Sequence, residues 1–447
     1  MKQKITCFGF IALCLALCAV LSVGMLLIGP SQGGANELQT PVPRLRTAAG
    51  FNASYLSDLS DYLSDHFFLR HVLLTARSRV CAALGASAVD DVILGADGWL
   101  YYAPTLSDYA GLDPADAHDL ACMARDLCLM QEYCEAQGMR FLFAVAPNKN
   151  SLYPEAMPAY PAAAGAHDAQ RLFSALDTLG VHYADLFTVF RAQPEVLYYA
   201  HDSHWNSRGA ALAADAINKG FGRDSDYFSD PFSAGAASHS GDLYQMLYPT
   251  AADPETDPLR SEALSYQRQG SETRPDSITI NTDSDGHGRL FAFRDSFGNQ
   301  LYPYLADSFA SARFSRASAY GLAAAAAADA DFVLIELVER NLGYLLQYVP
   351  VMPAPVRALS PSGNAEGEAA LTAPSDAAAL KGYRLLKGNL PEGQTADRIY
   401  LDCGGTAYEA FLLADGGFAA YLPAEETPQH ILFETDGLCF SLTAVLS

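Results

Sequence analysis

Two short segments of the chain carry acid, base and nucleophile side chains at spacings that permit joint chemistry. The first, Asp202-Ser203-His204-Trp205-Asn206, follows the strand-like Val196-Leu197-Tyr198-Tyr199 and precedes a helical stretch. Alternate side chains of an extended backbone share a face, so Asp202 and His204 project together, with Ser203 pointing away. A carboxylate beside an imidazole fixes its tautomer and stabilises the imidazolium formed when the ring takes a proton. The second segment, Arg294-Asp295-Ser296-Phe297-Gly298, follows the apolar run Leu290-Phe291-Ala292-Phe293. A serine on a strand-to-helix turn stands at the sheet edge, and the helix N-terminus behind it offers amides to an oxyanion. Both segments have a simpler use as helix caps, through Asn206 or Ser207 in one and Ser296 in the other. Taken together they read as a nucleophile (Ser296), its general base (His204) and the carboxylate that orients the base (Asp202). Asp295 is expected to fix the turn.

The surrounding pattern supplies elements to hold them. Val92 to Leu94 and Trp99 to Tyr102 flank an Asp97-Gly98 turn, the signature of a β-hairpin. Helical spacing over about 114–137, 170–179, 207–219 and 323–328 alternates with short apolar runs at 141–146, 181–186, 290–293 and 332–337. That alternation predicts an α/β fold with a mostly parallel sheet covered on both faces, where ligands bind beyond the carboxyl ends of strands. Residues 224–285 are poor in apolar runs and read as an excursion that rims the site. Residues 55–80 place Leu56, Leu59, Leu63, Phe67 and Leu73 at helical spacing. The divisions are an anchor over 1–30, a linker over 31–54, the α/β body over 55–350, a second linker over 351–377, and a small β-sandwich-like module over 378–447.

Composition narrows the function. Hydrophobic residues make up 50% of the 447, charged residues 18%, and the formal net charge is -23, which disfavours general binding to nucleic acid. Lys2 and Lys4 precede an apolar run from Ile5 to Gly29, longer than the h-region of a signal peptide and long enough to span a bilayer with the lysines cytoplasmic. The rest of the chain is then extracytoplasmic and held by a single pass; the rival is a signal cleaved near Ala35, with Gly33 upstream. Cys122, Cys128 and Cys134 recur at a spacing that is not that of metal ligands, and no metal or cofactor is expected. Cys403 and Cys439 lie in two strand-like runs, where they either pair outside the cell or stay free and buried.

These motifs resemble the SGNH-hydrolase-like proteins of the AlgX/AlgJ and DHHW families, associated with O-acetylation of extracellular polysaccharides. Val92-Ile93-Leu94-Gly95 with Asp97 to Tyr102 resembles the family's entry strand, Pro147 to Pro154 its P-x-K-x-x-x-Y-P loop, and Glu339-Arg340-Asn341-Leu342 its E-R-x-L ending. The resemblance implies a three-layer, flavodoxin-like body in circularly permuted motif order, with the D-x-H-W segment ahead of the serine. It also implies an O-acetyltransferase acting on a surface polysaccharide, with a membrane-bound O-acyltransferase partner as acyl donor. An acetylesterase on the same site and a non-catalytic glycan-binding scaffold are the alternatives. Arg294 stands where the family has glycine, and no G-x-N-D block supplies an oxyanion asparagine; the Ser296 turn amides, Arg340 or Asn148 are left for that task. Trp205, Tyr153 and Tyr302 are candidate sugar-stacking rings or core packing. Lys149 and Arg340 are candidates for an acidic sugar or the oxyanion, with a salt bridge as the alternative for Arg340.

Overall fold

The computed structural model describes residues 2–31, 39–47, 50–158, 160–165, 167–271, 274–317, 319–359 and 361–446. The helix Lys2–Leu27 contains a 20-residue stretch, Phe8–Leu27, of mean hydropathy 2.8, long and apolar enough to cross a membrane. The expected cleavage point at Gly33 to Ala35 lies outside the described residues. The single helix expected from residue 55 is two helices, Tyr55–His66 and Arg70–Ala83. The break falls at Leu69, whose φ of 64° is left-handed. Leu56, Leu63 and Leu73 on these helices stay exposed, so helical spacing here did not mark a core.

Seven strands form the sheet of the body, in the order 183–184, 140–146, 332–338, 289–293, 311–315, 279–283 and 267–268. The first five run parallel, 279–283 runs antiparallel to them, and 267–268 runs antiparallel to 279–283. The strand Arg140–Ala146 shows why it lies at the centre. Phe141, Phe143 and Val145 enter one buried cluster with the helices Ala117–Ala136 and Asp168–Leu179. Leu142, Ala144 and Ala146 enter a second with Ser207–Gly220 and Gly298–Ser308. Period-2 alternation of wholly apolar residues is what a strand buried on both faces requires. The expected strand at 181–186 shortens to Tyr183–Ala184 because Asp185 accepts from Thr188 N at 3.0 Å and starts a helix at Leu186. The excursion 224–285 is more ordered than its composition suggests, with a hairpin of Phe232–Ser238 and Thr256–Arg260 and two strands added to the sheet edge.

The tail departs further from expectation. It is one nine-stranded sheet, and Gly363–Thr372, inside the stretch expected as linker, is one of its strands. Two strands far apart in its order are neighbours in the chain. Thr406–Glu409 pairs with Arg398–Cys403, while Phe411–Leu412, one residue later, pairs with Gly417–Pro423. The chain therefore passes within one residue, Ala410, from one side of the strand order to the other. Cys403 and Cys439 are free and buried. Their strands do not adjoin, since His430–Thr435 runs between them.

Packing is continuous across the boundary near residue 350: one buried cluster contains Leu127 and Leu129 of the long helix and Phe411, Phe418 and Leu422 of the tail. Polar links cross it as well. Glu409, 1% exposed, accepts from Arg125 Nε at 2.8 Å and Arg357 Nε at 2.6 Å, and Arg357 also meets Glu132. Asp126 Oδ1 accepts from Leu412 N at 3.0 Å.

Removing one partner of a buried ion pair leaves the other uncompensated, at a cost of about 3–5 kcal/mol. Glu409→Ala should lower unfolding free energy by that amount in urea titration. Replacing Arg125, Glu409 and Arg357 together by apolar residues should recover most of it. Because the core is shared, the Glu409→Ala loss should appear in one transition for body and tail.

Candidate active site

The loop Tyr199–His204 leaves the sheet region under tight restraint. Lys149, 4% exposed, spends its three N–H donors on the carbonyls of Tyr199, Ala200 and Asp202, at 2.8, 2.8 and 2.7 Å. Burial pushes its ammonium down to about 7 despite the carboxylates of Asp202, Glu255 and Asp242 nearby. Glu255 accepts from the Ala200 and His201 amides, at 2.5 and 2.8 Å. Asn206 Oδ1 accepts from Gly209 N at 2.9 Å and caps the helix Ser207–Gly220, so capping leaves His204 free.

Asp202 and His204 project together as their spacing predicts. His204 Nδ1 lies 2.6 Å from Asp202 Oδ1, and His204 Nε2 lies 2.8 Å from Ser296 Oγ. An ionised carboxylate only accepts, so Nδ1 carries the proton and Nε2 is left to accept from the serine hydroxyl. Ser296 is not a helix cap: its hydroxyl goes to His204, and Phe297 occupies the cap position of Gly298–Ser308 without a side-chain bond. Asp295 holds the turn, with Oδ1 accepting from Phe297 N at 2.9 Å and Oδ2 from Val338 N at 2.8 Å and Asn341 Nδ2 at 2.9 Å. Arg294 is buried and donates to Asn299 Oδ1 and to the carbonyls of Pro275 and Ser277. A Cβ on Gly298 would meet the Arg294 side chain at 2.4 Å. Gly298 therefore makes room for Arg294.

Two groups join Asp202 that the sequence reading missed. His239 Nε2 lies 2.9 Å from Asp202 Oδ2, and Asp242 N donates to the same oxygen at 3.0 Å. The His239 ring stacks on Tyr199, with centroids 3.6 Å apart. Ser203 does not point away freely; its hydroxyl donates to Asp242 Oδ2 at 2.6 Å. Burial would raise the Asp202 carboxyl, but the two imidazoles outweigh it and hold the group well below the usual carboxylate range. Burial would lower His204, and the Asp202 carboxylate outweighs that too, leaving the imidazole above its ordinary value.

A cleft of about 660 Å³ opens over this array, lined by Tyr102, Tyr199, His204, His239, Ser296 and Arg340 among others. Arg340 is the one residue of the predicted secondary set that faces it. Its guanidinium lies 5.3 Å from the Tyr102 ring and 5.5 Å from Phe297, and it makes no ion pair among the described residues. The others lie elsewhere. Asn148 is fully buried and donates to Asp108, with its amide on Glu339. Lys149 is committed to the loop carbonyls. Trp205 is fully buried and donates to Phe297 O at 3.1 Å. The Tyr153 hydroxyl accepts from Leu197 N, and Tyr302 packs at 6% exposure against Tyr266. Tyr102, Tyr199 and Tyr344 are the rings that face the cleft instead. Of the turn amides, Phe297 N is taken by Asp295, while those of Ser296 and Gly298 have no acceptor among the described residues.

Residues 92–290 match the family described as SGNH hydrolase-like domain, acetyltransferase AlgX. Over that stretch the chain is similar to the SGNH hydrolase-like domain of AlgX. The match includes Asp202 and His204 and stops short of Ser296. A curated relative, the probable alginate O-acetylase AlgJ of Pseudomonas syringae pv. tomato, is 26% identical over 212 residues, 46% of this chain. The chain spans about half of that relative's length, 51%. Among solved structures, a DHHW family protein from Eubacterium siraeum aligns at 15% identity over 59% of this chain and 97% of its own, with a TM-score of 0.43. The O-acetyltransferase domain of Pseudomonas putida AlgJ aligns at 18% identity over 56% and 91%, with a TM-score of 0.38.

Since His239 and His204 share one carboxylate, His239→Asn should leave Asp202 more fully to His204 and remove a neighbouring positive charge. Both changes favour the imidazolium, so the His204 pKa followed by NMR should start above the ordinary value near about 6.5 and rise further in the variant. A fall would mean that the two rings do not compete for Asp202.

Proposed function

We propose that the chain is a membrane-anchored, extracytoplasmic O-acetyltransferase that esterifies a cell-surface or secreted polysaccharide through an acyl group carried on Ser296. The observation that carries this reading is the unbroken hydrogen-bond path Ser296 Oγ–His204–Asp202, 2.8 and 2.6 Å long, at the floor of an open cleft. The similarity to a probable alginate O-acetylase supports O-acetylation of a polysaccharide, and the apolar helix Phe8–Leu27 supports the anchor.

In the first half-reaction Ser296 Oγ attacks the carbonyl carbon of the acyl donor while its proton passes to His204 Nε2. The donor's C–O bond breaks, and its oxygen leaves with the proton from His204. In the second half-reaction an acceptor hydroxyl gives its proton to His204, its oxygen attacks the acyl carbon, and Ser296 leaves as it is reprotonated. Asp202 stabilises the imidazolium in both. The free amides of Ser296 and Gly298, with Arg340 beside them, suit the negative charge that develops on the carbonyl oxygen. The donor outside the cell is an ester delivered by a membrane-bound O-acyltransferase, and no metal or cofactor enters the scheme.

Ser296→Ala should abolish acyl labelling of the protein by an activated ester, read by intact-protein mass spectrometry. It removes no helix cap, so thermal stability should stay close to that of the unmodified protein. Turnover should fall by roughly four to six orders of magnitude, and the Ser296→Ala, His204→Ala double variant should lose little more than either single one. In cells, a drop in acetyl ester on the polymer with Ser296→Ala supports transfer, and a rise supports the esterase. No change with the folded protein at the membrane would overturn both.

A further inference from the structure

Ser296 lies between two cavities. The cleft of about 660 Å³ contains His204 on its wall; a second cavity of about 280 Å³ does not. Ser296, Arg316, Asn341 and Tyr344 line both and form the partition between them. The walls of the smaller cavity mix aromatic and aliphatic side chains with polar ones, Arg294, Asp295, Arg316 and Asn341 among them. Phe293 meets Tyr320 at 5.6 Å, Tyr344 meets Tyr348 at 5.4 Å, and Leu337 and Ala317 complete the lining. Of its polar lining groups, Arg294 donates to Asn299, Pro275 and Ser277, Asp295 accepts from Phe297, Val338 and Asn341, and Arg316 donates to Asp276 O at 3.2 Å.

The chemistry assigns the two spaces. An acceptor hydroxyl must come within reach of His204 to be deprotonated, so it approaches from the larger cleft. The acyl substituent on Ser296 is then directed away from the acceptor, toward the smaller cavity. We infer that this smaller cavity is the acyl-binding pocket and that it admits acyl chains several carbons longer than acetyl. The inference rests on the acyl-serine reading of Ser296. A methyl group takes up about the 30 Å³ that a water occupies in the liquid, so the acetyl methyl leaves most of the cavity unfilled, and Phe293, Tyr320 and Leu337 offer apolar surface to further methylenes.

The test uses the full chain in detergent with 4-nitrophenyl acetate, butyrate and hexanoate, following Ser296 labelling by mass spectrometry. A pocket built for acetyl alone would discriminate by roughly tenfold or more for each added methylene. The inferred pocket predicts that hexanoate labels at least as fast as acetate. Ala317 is exposed at the cavity wall and touches neither His204 nor Asp202. Ala317→Trp should fill the space and cut the hexanoate-to-acetate labelling ratio by about tenfold or more, with acetate labelling retained, while Ala317→Ser keeps the original ratio. Acetate labelling without hexanoate labelling overturns the pocket and leaves the acyl-serine reading standing. An equal loss of both labels in Ala317→Trp, with Ala317→Ser unaffected, also overturns it. Failure of every ester to label Ser296 overturns the acyl-serine reading and the pocket with it.

Discussion

The buried carboxylate of Asp202 is the constraint from which the rest of the site follows. At 5% exposure an unpaired carboxylate would take up a proton, and a neutral acid would orient no base. It stays ionised because His204, His239 and the Asp242 amide converge on its two oxygens. Each of those donors is itself fixed from outside the pair. Lys149 and Glu255 pin the backbone on either side of Asp202, Tyr199 backs His239, and the Asp242 carboxylate holds Ser203 in place. Lys149 thus acts as a positioning residue. Its charge is spent on carbonyls, and its effect on His204 passes through the shape of the loop.

The nucleophile turn is held by a second, independent set of bonds. Asp295 joins it to the strand Phe332–Val338 and to Asn341, and Arg294 joins it to the segment at Pro275 that forms part of the cleft rim. Burial and the nearby Arg316 depress the Arg294 guanidinium to about 10, an electrostatic cost offset by its hydrogen bonds to Asn299 and two carbonyls. The sequence departure from glycine at this position therefore changes how the turn is braced and leaves the serine where His204 can reach it.

Much of this was legible before any coordinates, for physical reasons. Parallel strands buried on both faces read as unbroken apolar runs, which is why 141–146, 290–293 and 332–337 were found nearly to the residue. The pair Asp202 and His204 was legible because period-2 geometry needs no tertiary context. His239 was not, since it lies in the polar excursion and meets Asp202 only through the fold. Aromatic residues misled for a related reason. Trp205 and Tyr302 neighbour catalytic motifs in sequence, but side chains alternate sides along extended backbone and rotate around a helix, and these two point into the core. The tail shows the same limit at larger scale, because short alternating strands are visible in sequence, whereas the order in which they join one sheet depends on pairings between distant strands that no local pattern encodes.

Charge distribution gives the last step of this reasoning. A chain with a formal charge of -23 repels anions at long range, yet the cleft presents Arg340 and Arg316, neither ion-paired among the described residues. Fields from the outer surface fade over a screening length of about 8 Å at physiological salt. The charges of the cleft itself, Arg340 and Arg316 together with the carboxylates of Asp202, Asp242 and Asp276, therefore set the potential felt at Ser296. Arg340 also opposes the Asp202 carboxylate in setting the His204 pKa. A single cation placed there both favours negative charge beside the serine and limits how far the base is driven toward its protonated form. The catalytic cost of a strong orienting carboxylate is thus moderated by a guanidinium that lines the same cleft.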